Sequence, residues 1–424
     1  MRPIAHCYSS LKGRYASGWQ SRTHGTRLVR LCVRRSLWIG RNLSTQPDTC
    51  CNATSKASHL RSNIIIIKND APVLHRRASK SPTRSSATPE SSSEAYKPPT
   101  TGLLSVLPCS MVPYAELARI DKPTGTYYLF FPCLFSTLLA APLASPITPP
   151  LTVIGTTALF LSGALIMRGA GCTINDLWDR NLDPHVTRTR LRPIARRAVT
   201  PKAAIIFTGG QLLAGLAVLL QFPTSCLYYG IPSLALVATY PLAKRVTYYP
   251  QFVLGLAFSW GAIMGFPALG VDLLTNHSAL VAAACLYSSN IAWTMLYDMI
   301  YAHMDIKDDV KAGIKSIALA HEDNTKPVLV GLGAVQIALL AGAGAAVGAG
   351  PIFYIGSCGG AALTLATMIW KVNLKSVPNC WWWFKNGCWF TGGAITLGLA
   401  GEYAAKLMGL YDKEDQEIKS VEQV

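Results

Sequence analysis

From residue 124 onward the chain repeats one pattern: apolar runs of about twenty residues, the length that spans hydrocarbon, separated by short polar or Pro-containing loops. Such runs leave few folds open. Backbone facing lipid must satisfy its own hydrogen bonds, and each run is long enough to do so as a helix. Nine runs are counted, near 124–142, 152–174, 203–221, 225–242, 251–271, 279–300, 327–348, 352–370 and 387–405. The fold class expected is therefore all-α, a polytopic membrane bundle of about nine helices. The charge content agrees: 14% of residues are charged, against about 25% in an ordinary soluble protein. The Ile64–Ile67 run is too short to span. The stretch LAGAGAAVGAG (340–350) reads as close helix packing.

The loops fix the orientation. Arg180, Arg188, Arg190, Arg192, Arg196 and Arg197 follow the second run, Lys244 and Arg245 the fourth, and Lys307, Lys311 and Lys315 the sixth. The loops after runs one, three, five and seven contain no Lys or Arg. Strict alternation of this kind is the positive-inside pattern, and a miscounted run would scramble it. The net charge of +17 lies in the N-terminal stretch and in these short loops. That distribution suits membrane topology and phosphate binding, and it argues against a nucleic-acid platform.

Residues 1–47 contain eight arginines, Lys12 and no acidic residue before Asp48. An Arg- and Ser-rich, acid-poor N-terminus is a mitochondrial presequence pattern; a basic tail is the alternative. Residues 48–109 read as a disordered low-complexity linker. A membrane domain over 110–406 and a polar tail over 407–424 complete the expected organisation. The basic loops share a side with the N-terminus, which a presequence would deliver to the matrix. The twelve cysteines show no C-x-x-C pair and no zinc spacing. Cys133, Cys172 and Cys285 lie inside apolar runs, as buried thiols do.

Two acidic clusters carry the chemistry. Asn175-Asp176-Leu177-Trp178-Asp179-Arg180-Asn181-Leu182-Asp183 ends the second run, and Asp298 through Asp309 (DMIYAHMDIKDD) ends the sixth. Together they hold seven of the 22 acidic residues. Helical spacing predicts Asn175, Asp179 and Asp183 on one face, and Asp298, Asp305 and Asp309 on another. Runs two and six end on the same side, so the clusters can face each other. Mutually repelling carboxylates at a membrane boundary need compensation, and Mg²⁺ supplies it while bridging to phosphate oxygens. Arg188, Arg192, Lys244 and Arg245 could clamp a diphosphate. The bland alternative is solvated loop ends with local ion pairs.

NDLWDRNLD followed by RLRP, and DMIYAHMDIKDD followed by GIKS, resemble the two signature motifs of the UbiA superfamily of membrane prenyltransferases. The likeness extends through LARIDKPTGTYYLFFPCLFS (117–136) and YPLAKRVTYYPQFVLGLAFSWGAIMGFP (240–267) and covers roughly residues 110–405. It is similar to the ubiquinone-pathway branch of that superfamily. The resemblance implies helices around a lateral apolar cavity in the mitochondrial inner membrane, with the site facing the matrix. It implies Mg²⁺-dependent transfer of a polyprenyl group from polyprenyl diphosphate to the carbon ortho to the hydroxyl of 4-hydroxybenzoate. Membrane lipid and other ubiquinone-pathway enzymes are the partners implied. A dry cavity would keep water from the allylic cation.

Carried over residue by residue, Asn175, Asp179, Asp305 and Asp309 match the metal and diphosphate positions. Asp176, Asp183, Asp298 and Asp308 match supporting acidic positions. Arg119 is the candidate for the aromatic carboxylate, or else a snorkelling interfacial Arg. Tyr301 is a second candidate for the aromatic-substrate site. His185 and His303 are either bases or solvated loop residues, and Trp381-Trp382-Trp383 reads as an interfacial belt. One departure is visible: Arg196-Arg197 stands where the family pattern leads one to expect a small residue, Gly above all. Two other readings stay open. One is the same fold acting on another aromatic acceptor, such as a phenolic polyketide or haem. The other is a transporter, although its ionisable groups belong near the midplane rather than at helix ends.

Overall fold

A computed structural model describes residues 96–186, 189–313 and 315–411. The presequence reading, most of the linker and the end of the tail lie outside them. All regular structure among the described residues is helical. A short helix α1 (Val112–Leu117) leads into α2 (Thr124–Ala140), α3 (Pro150–Trp178), α4 (Pro201–Leu219) and α5 (Thr224–Val246). Then come α6 (Pro250–Phe258), α7 (Gly261–Ala268), α8 (His277–Ala302), and the short α9 (Ile306–Ala312) and α10 (Ile317–Ala320). The last three are α11 (Thr325–Ala346), α12 (Gly360–Lys371) and α13 (Val377–Leu407).

Every expected run is helical, and among the described residues seven segments are long and apolar enough to cross a membrane. They are α2 with its following turn, α3, α4, α6 with α7, α8, α11, and α12 with the π-turn Phe353–Gly359 before it. The sequences of α5 and α13 are more polar: α5 carries Lys244-Arg245, and α13 carries Lys385, Glu402 and Lys406. The count of nine is thus approximate.

Burial is uneven. The windows of α2, α6–α7 and α8 are mostly buried, whereas α3 and α4 bury little. Leu165, Ile205, Ile206 and Leu213 are between 50% and 76% exposed. Continuous exposed apolar faces on long helices are what hydrocarbon solvates. The core is packed around α2, α8, α11 and α13, where Tyr128 stacks on Tyr297 at 3.6 Å and meets Trp293 edge-on at 5.4 Å. Small residues permit the closest approaches, as the sequence leads one to expect for Gly-rich spans. A methyl on Gly265 would lie within 2.4 Å of the Ser136 carbonyl carbon, so α7 meets α2 backbone to backbone. Ser136 Oγ secures that seam by donating to the Gly261 carbonyl (2.8 Å) and accepting from Gly265 N–H (3.0 Å).

Three details differ from the sequence reading. Residues 96–109 are part of the folded domain: Tyr96 Oη donates to Glu116 (2.7 Å), and Leu104 is buried in the 3₁₀ turn Leu103–Val106. Apolar Leu104 and aromatic Tyr96 give this stretch something to bury, unlike the Ser-rich segment before it. Of the three tryptophans, Trp381 and Trp382 are exposed while Trp383 turns inward. A third difference concerns the acidic clusters.

Candidate active site at the ends of two spans

Neither acidic cluster lies on one continuous helix. α3 stops at Trp178 and Asp179 caps it, its N–H donating to the Asn175 carbonyl (2.9 Å). One more turn follows, closed by Asp183 N–H on the Asp179 carbonyl (2.9 Å), before the 3₁₀ turn Asp183–His185. α8 stops at Ala302, and Asp305 is the N-cap residue of α9, with Asp308 and Asp309 in its first turn. The break has a local cause. His303 Nδ1 lies 2.7 Å from the Met299 carbonyl, and tight three-residue bonds from Met304 and Asp305 N–H end the helix. Acidic residues at the start of α9 are favoured there by the helix dipole.

Asp176 is the centre of the first pole. It is fully buried, and both of its oxygens accept from Arg119 Nη2 at 2.8 Å. Arg192 Nη1 reaches the same carboxylate at 3.0 Å and both oxygens of Asp183 at 3.1 Å. Arg119 also donates from Nη1 to the Glu116 carbonyl (2.8 Å). Burial opposes the Arg119 charge, but Asp176 first, and Cys172 and Asp121 with it, bring the net shift upward. Burial pushes the Asp183 carboxyl up, with Arg192 working against it. Arg119 and Arg192, expected to grip substrate, thus grip the chain's own carboxylates. Their spacing in sequence, 57 and 16 residues from Asp176, hides that pairing.

The second pole lies where three loops meet. Lys315 Nζ donates to the Val246 carbonyl (3.3 Å), Ile317 N–H to Gln251 Oε1 (3.1 Å), and Tyr249 Oη lies 3.1 Å from His321 Nε2. These contacts seat the end of α5 and the start of α6 against the stretch 315–321 that contains α10; Lys244 and Arg245 stand on the last turn of α5. Tyr301 stands half-buried, its ring 4.7 Å from Phe384 and 6.4 Å from Trp381. Asp298, Asp305, Asp308 and Asp309 are half-buried. Arg188 lies outside the described residues. α2 packs against both α3 and α8, the two helices whose ends carry the clusters.

Seven buried side-chain polar atoms among the described residues lack partners, and two of them lie in the second half of α3. Asn175 Oδ1 and Arg168 Nε are shielded from solvent with no hydrogen bond. Arg168 was not singled out by the sequence reading, yet a signal existed. Positions 168 and 175 are spaced by seven, so they fall on one stripe of α3 with about 10 Å of rise between them, and Asp179 caps that helix one turn beyond Asn175. The Arg168 guanidinium lies 5.5 Å from the Phe258 ring and against the first turn of α2. An ionisable group inside an apolar span marks a functional site by default. The Nε of Arg190 is also buried without a partner.

Asn175 Oδ1 supplies the test of fit for a metal. An acceptor oxygen with nothing to accept, one turn below Asp179, suits a hard cation. Among the described residues no group of three His, Cys, Asp or Glu is gathered closely enough to hold an ion alone. With fewer than three such groups together, a cation here would draw on the amide oxygen of Asn175 and on oxygens from outside the chain as well as on a carboxylate.

Comparison with known proteins agrees with this architecture. The model of the "UbiA prenyltransferase family" matches residues 129–392. The chain is 47% identical to "4-hydroxybenzoate polyprenyltransferase, mitochondrial" of Schizosaccharomyces pombe, over 70% of this chain and 82% of that protein. It is 46% identical to the protein of the same name from Saccharomyces cerevisiae, over 72% of this chain and 80% of that one. A UbiA homolog from Archaeoglobus fulgidus, solved bound to DMAPP and Mg²⁺, superimposes with a TM-score of 0.51 at 15% identity, over 68% of this chain and 99% of that chain. That last likeness is one of fold. With the family motifs, the helical architecture and the matched span in agreement, the chain belongs to the UbiA prenyltransferase family.

Proposed function

We propose that the chain transfers a polyprenyl group from polyprenyl diphosphate to the ring carbon ortho to the hydroxyl of 4-hydroxybenzoate, in ubiquinone synthesis. The names of the two yeast relatives support this reading. So does one observation above all. The unpartnered Nε of Arg168 lies on the same stripe of α3 as Asn175, deeper in the span. A carboxylate-bearing acceptor suits that guanidinium; a phenol without a carboxylate leaves it buried and unpaired. Arg119, the sequence-level candidate, has its Nη2 on Asp176 and its Nη1 on Glu116, so we assign the acceptor carboxylate to Arg168.

Mg²⁺, when bound, would neutralise the charge that develops on the leaving diphosphate. Asn175, Asp179, Asp305 and Asp309 are the residues proposed to hold it. Arg188, Arg190, Lys244 and Arg245 are proposed to face the remaining phosphate oxygens, with Arg192 tied to Asp176 and Asp183 behind them. Asp298 and Asp308 support the second pole, and Tyr301 borders the aromatic substrate. Arg168 orients the ring so that its ortho carbon meets the allylic carbon. The allylic C–O bond breaks, the new C–C bond forms, and the ring then loses a proton. Apolar side chains of the spans exclude the water that would intercept the cation. We place the protein in the mitochondrial inner membrane with this pole toward the matrix, in reach of other enzymes of the pathway.

The test is an acceptor screen in membranes, with a polyprenyl diphosphate, Mg²⁺ and either 4-hydroxybenzoate or phenols lacking a carboxylate. Prenylated 4-hydroxybenzoate is the expected product. If it goes unprenylated while a phenol without a carboxylate reacts, the acceptor assignment fails.

A further inference from the structure

Arg196 stands where the family pattern led to an expectation of a small residue, and it is heavily engaged. Its Nη2 pairs with Glu116, its Nη1 donates to the Leu191 carbonyl (2.7 Å), and its guanidinium lies 3.8 Å from the Tyr96 ring centroid. Tyr96 in turn donates to the other oxygen of Glu116 (2.7 Å). A cation stacked on an aromatic face while paired to a carboxylate is held on two sides.

These contacts close a circuit. The Glu116 carbonyl accepts from Arg119, Arg119 grips Asp176, Asp176 takes Arg192, and the Arg192 carbonyl accepts from Arg196 N–H (2.9 Å). Three carboxylates, Glu116, Asp176 and Asp183, balance three guanidiniums, Arg119, Arg192 and Arg196. The circuit joins α1, the end of α3, the loop before α4, and the segment that contains Tyr96. Both non-glycine residues with positive φ among the described residues belong to this region, Arg119 at 58° and Arg197 at 62°. Left-handed backbone at such residues is uphill and persists where surrounding contacts hold it.

We infer that Tyr96, Glu116 and Arg196 are positioning residues for the diphosphate pole: they clamp the loop carrying Arg190 and Arg192 onto α1, so that Arg192 stays on Asp176 and Asp183. The segment from Tyr96 to Leu104 is then a working part of the transferase domain. This inference rests on the proposed diphosphate site for its kinetic arm and on the fold alone for its second arm.

The kinetic arm varies each substrate in membranes. Arg196→Ala and Glu116→Gln should raise KM for polyprenyl diphosphate about tenfold and leave KM for the acceptor within about twofold; tenfold corresponds to about 1.4 kcal/mol. The double variant should be no worse than the poorer single one, because either change opens the circuit. Effects that multiply, or that fall equally on both substrates, overturn the inference. The second arm needs no substrate: tryptic cleavage after Arg190, at the Arg190–Leu191 bond, in the detergent-solubilised full chain, followed by mass spectrometry. Tyr96→Ala should speed cleavage about tenfold, with Tyr96→Phe between it and the parent, because the ring still covers Arg196. Unchanged cleavage in Tyr96→Ala overturns the clamp. If the parent protein fails to prenylate 4-hydroxybenzoate, the acceptor assignment falls, and the cleavage arm still decides this inference.

Discussion

The side chain of Arg168 fills the space that a side chain at position 125 would need: a methyl on Gly125 would lie 2.5 Å from both Nε and Nη2 of Arg168. The glycine of the RIDKPTG stretch thus makes room for a guanidinium on the next long helix, 43 residues later in sequence. The far end of a flexible side chain gives way at little cost. Gly125→Ala should therefore fold, displace the guanidinium, and raise KM for 4-hydroxybenzoate by about tenfold, or about 1.4 kcal/mol. KM for polyprenyl diphosphate should hold. A rise in the latter alone would remove Arg168 from the acceptor site.

Asp176 is buried between two arginines, so Asp176→Ala leaves the Arg119 guanidinium without its carboxylate and Arg192 with Asp183 alone. Removing one partner of a buried pair costs about 3–5 kcal/mol. The variant should melt well below the parent in a detergent thermal scan. A melting curve like the parent's would mean that water already compensates Arg119 and Arg192.

Asp179→Ala and Asp305→Ala should each abolish transfer, by about 100-fold or more, while membrane insertion stays intact. Chelation of Mg²⁺ should act alike on the parent protein. Turnover near the parent's in either variant, or activity that persists in chelator, would sink the metal assignment.

Arg197 carries a φ of 62° and an exposed side chain. Glycine adopts that backbone without the steric cost, about 1 kcal/mol, that an L side chain meets. Arg197→Gly should leave activity within about twofold and hold or raise the melting temperature. A marked loss of activity would show that the Arg197 side chain has a role beyond the loop's geometry.

Burial pushes the His303 imidazole down from its ordinary value. The unfolded chain then binds a proton at higher pH than the folded one. Stability should be full above about pH 6.5, the unfolded value, and should fall as the pH drops from there toward the folded value. Below the folded value the loss levels off. His303→Gln should flatten the fall in melting temperature between pH 7 and 5, and an equally steep fall in that variant would assign it to another group.

Much of this protein follows from local pattern. Spans need only length and apolarity, so each expected run is helical in the structure. The acidic clusters are contiguous motifs, and they stand at the ends of α3 and α8 as their positions in the runs require. Boundaries were harder. The breaks at Trp178 and Ala302 depend on caps such as His303 on the Met299 carbonyl, which periodicity does not encode. The folded start near Tyr96 depends on Glu116 and Arg196 being there to receive it.

The sequence by itself determined a helical membrane protein, the alternation of basic and uncharged loops, and the two acidic clusters at the ends of its spans. Hydrogen-bond satisfaction in lipid and the cost of charge in hydrocarbon impose those locally, residue by residue. Only the tertiary structure decided which charges spend themselves on one another. Arg119 and Arg192 meet Asp176 because α1 and the loop after α3 fold back onto the same helix end. Arg168 stays unpaired at Nε because the chain brings it Gly125 and Phe258 and no hydrogen-bond acceptor for that atom. Coulomb energy falls off with distance in space rather than along the chain, and folding sets that distance.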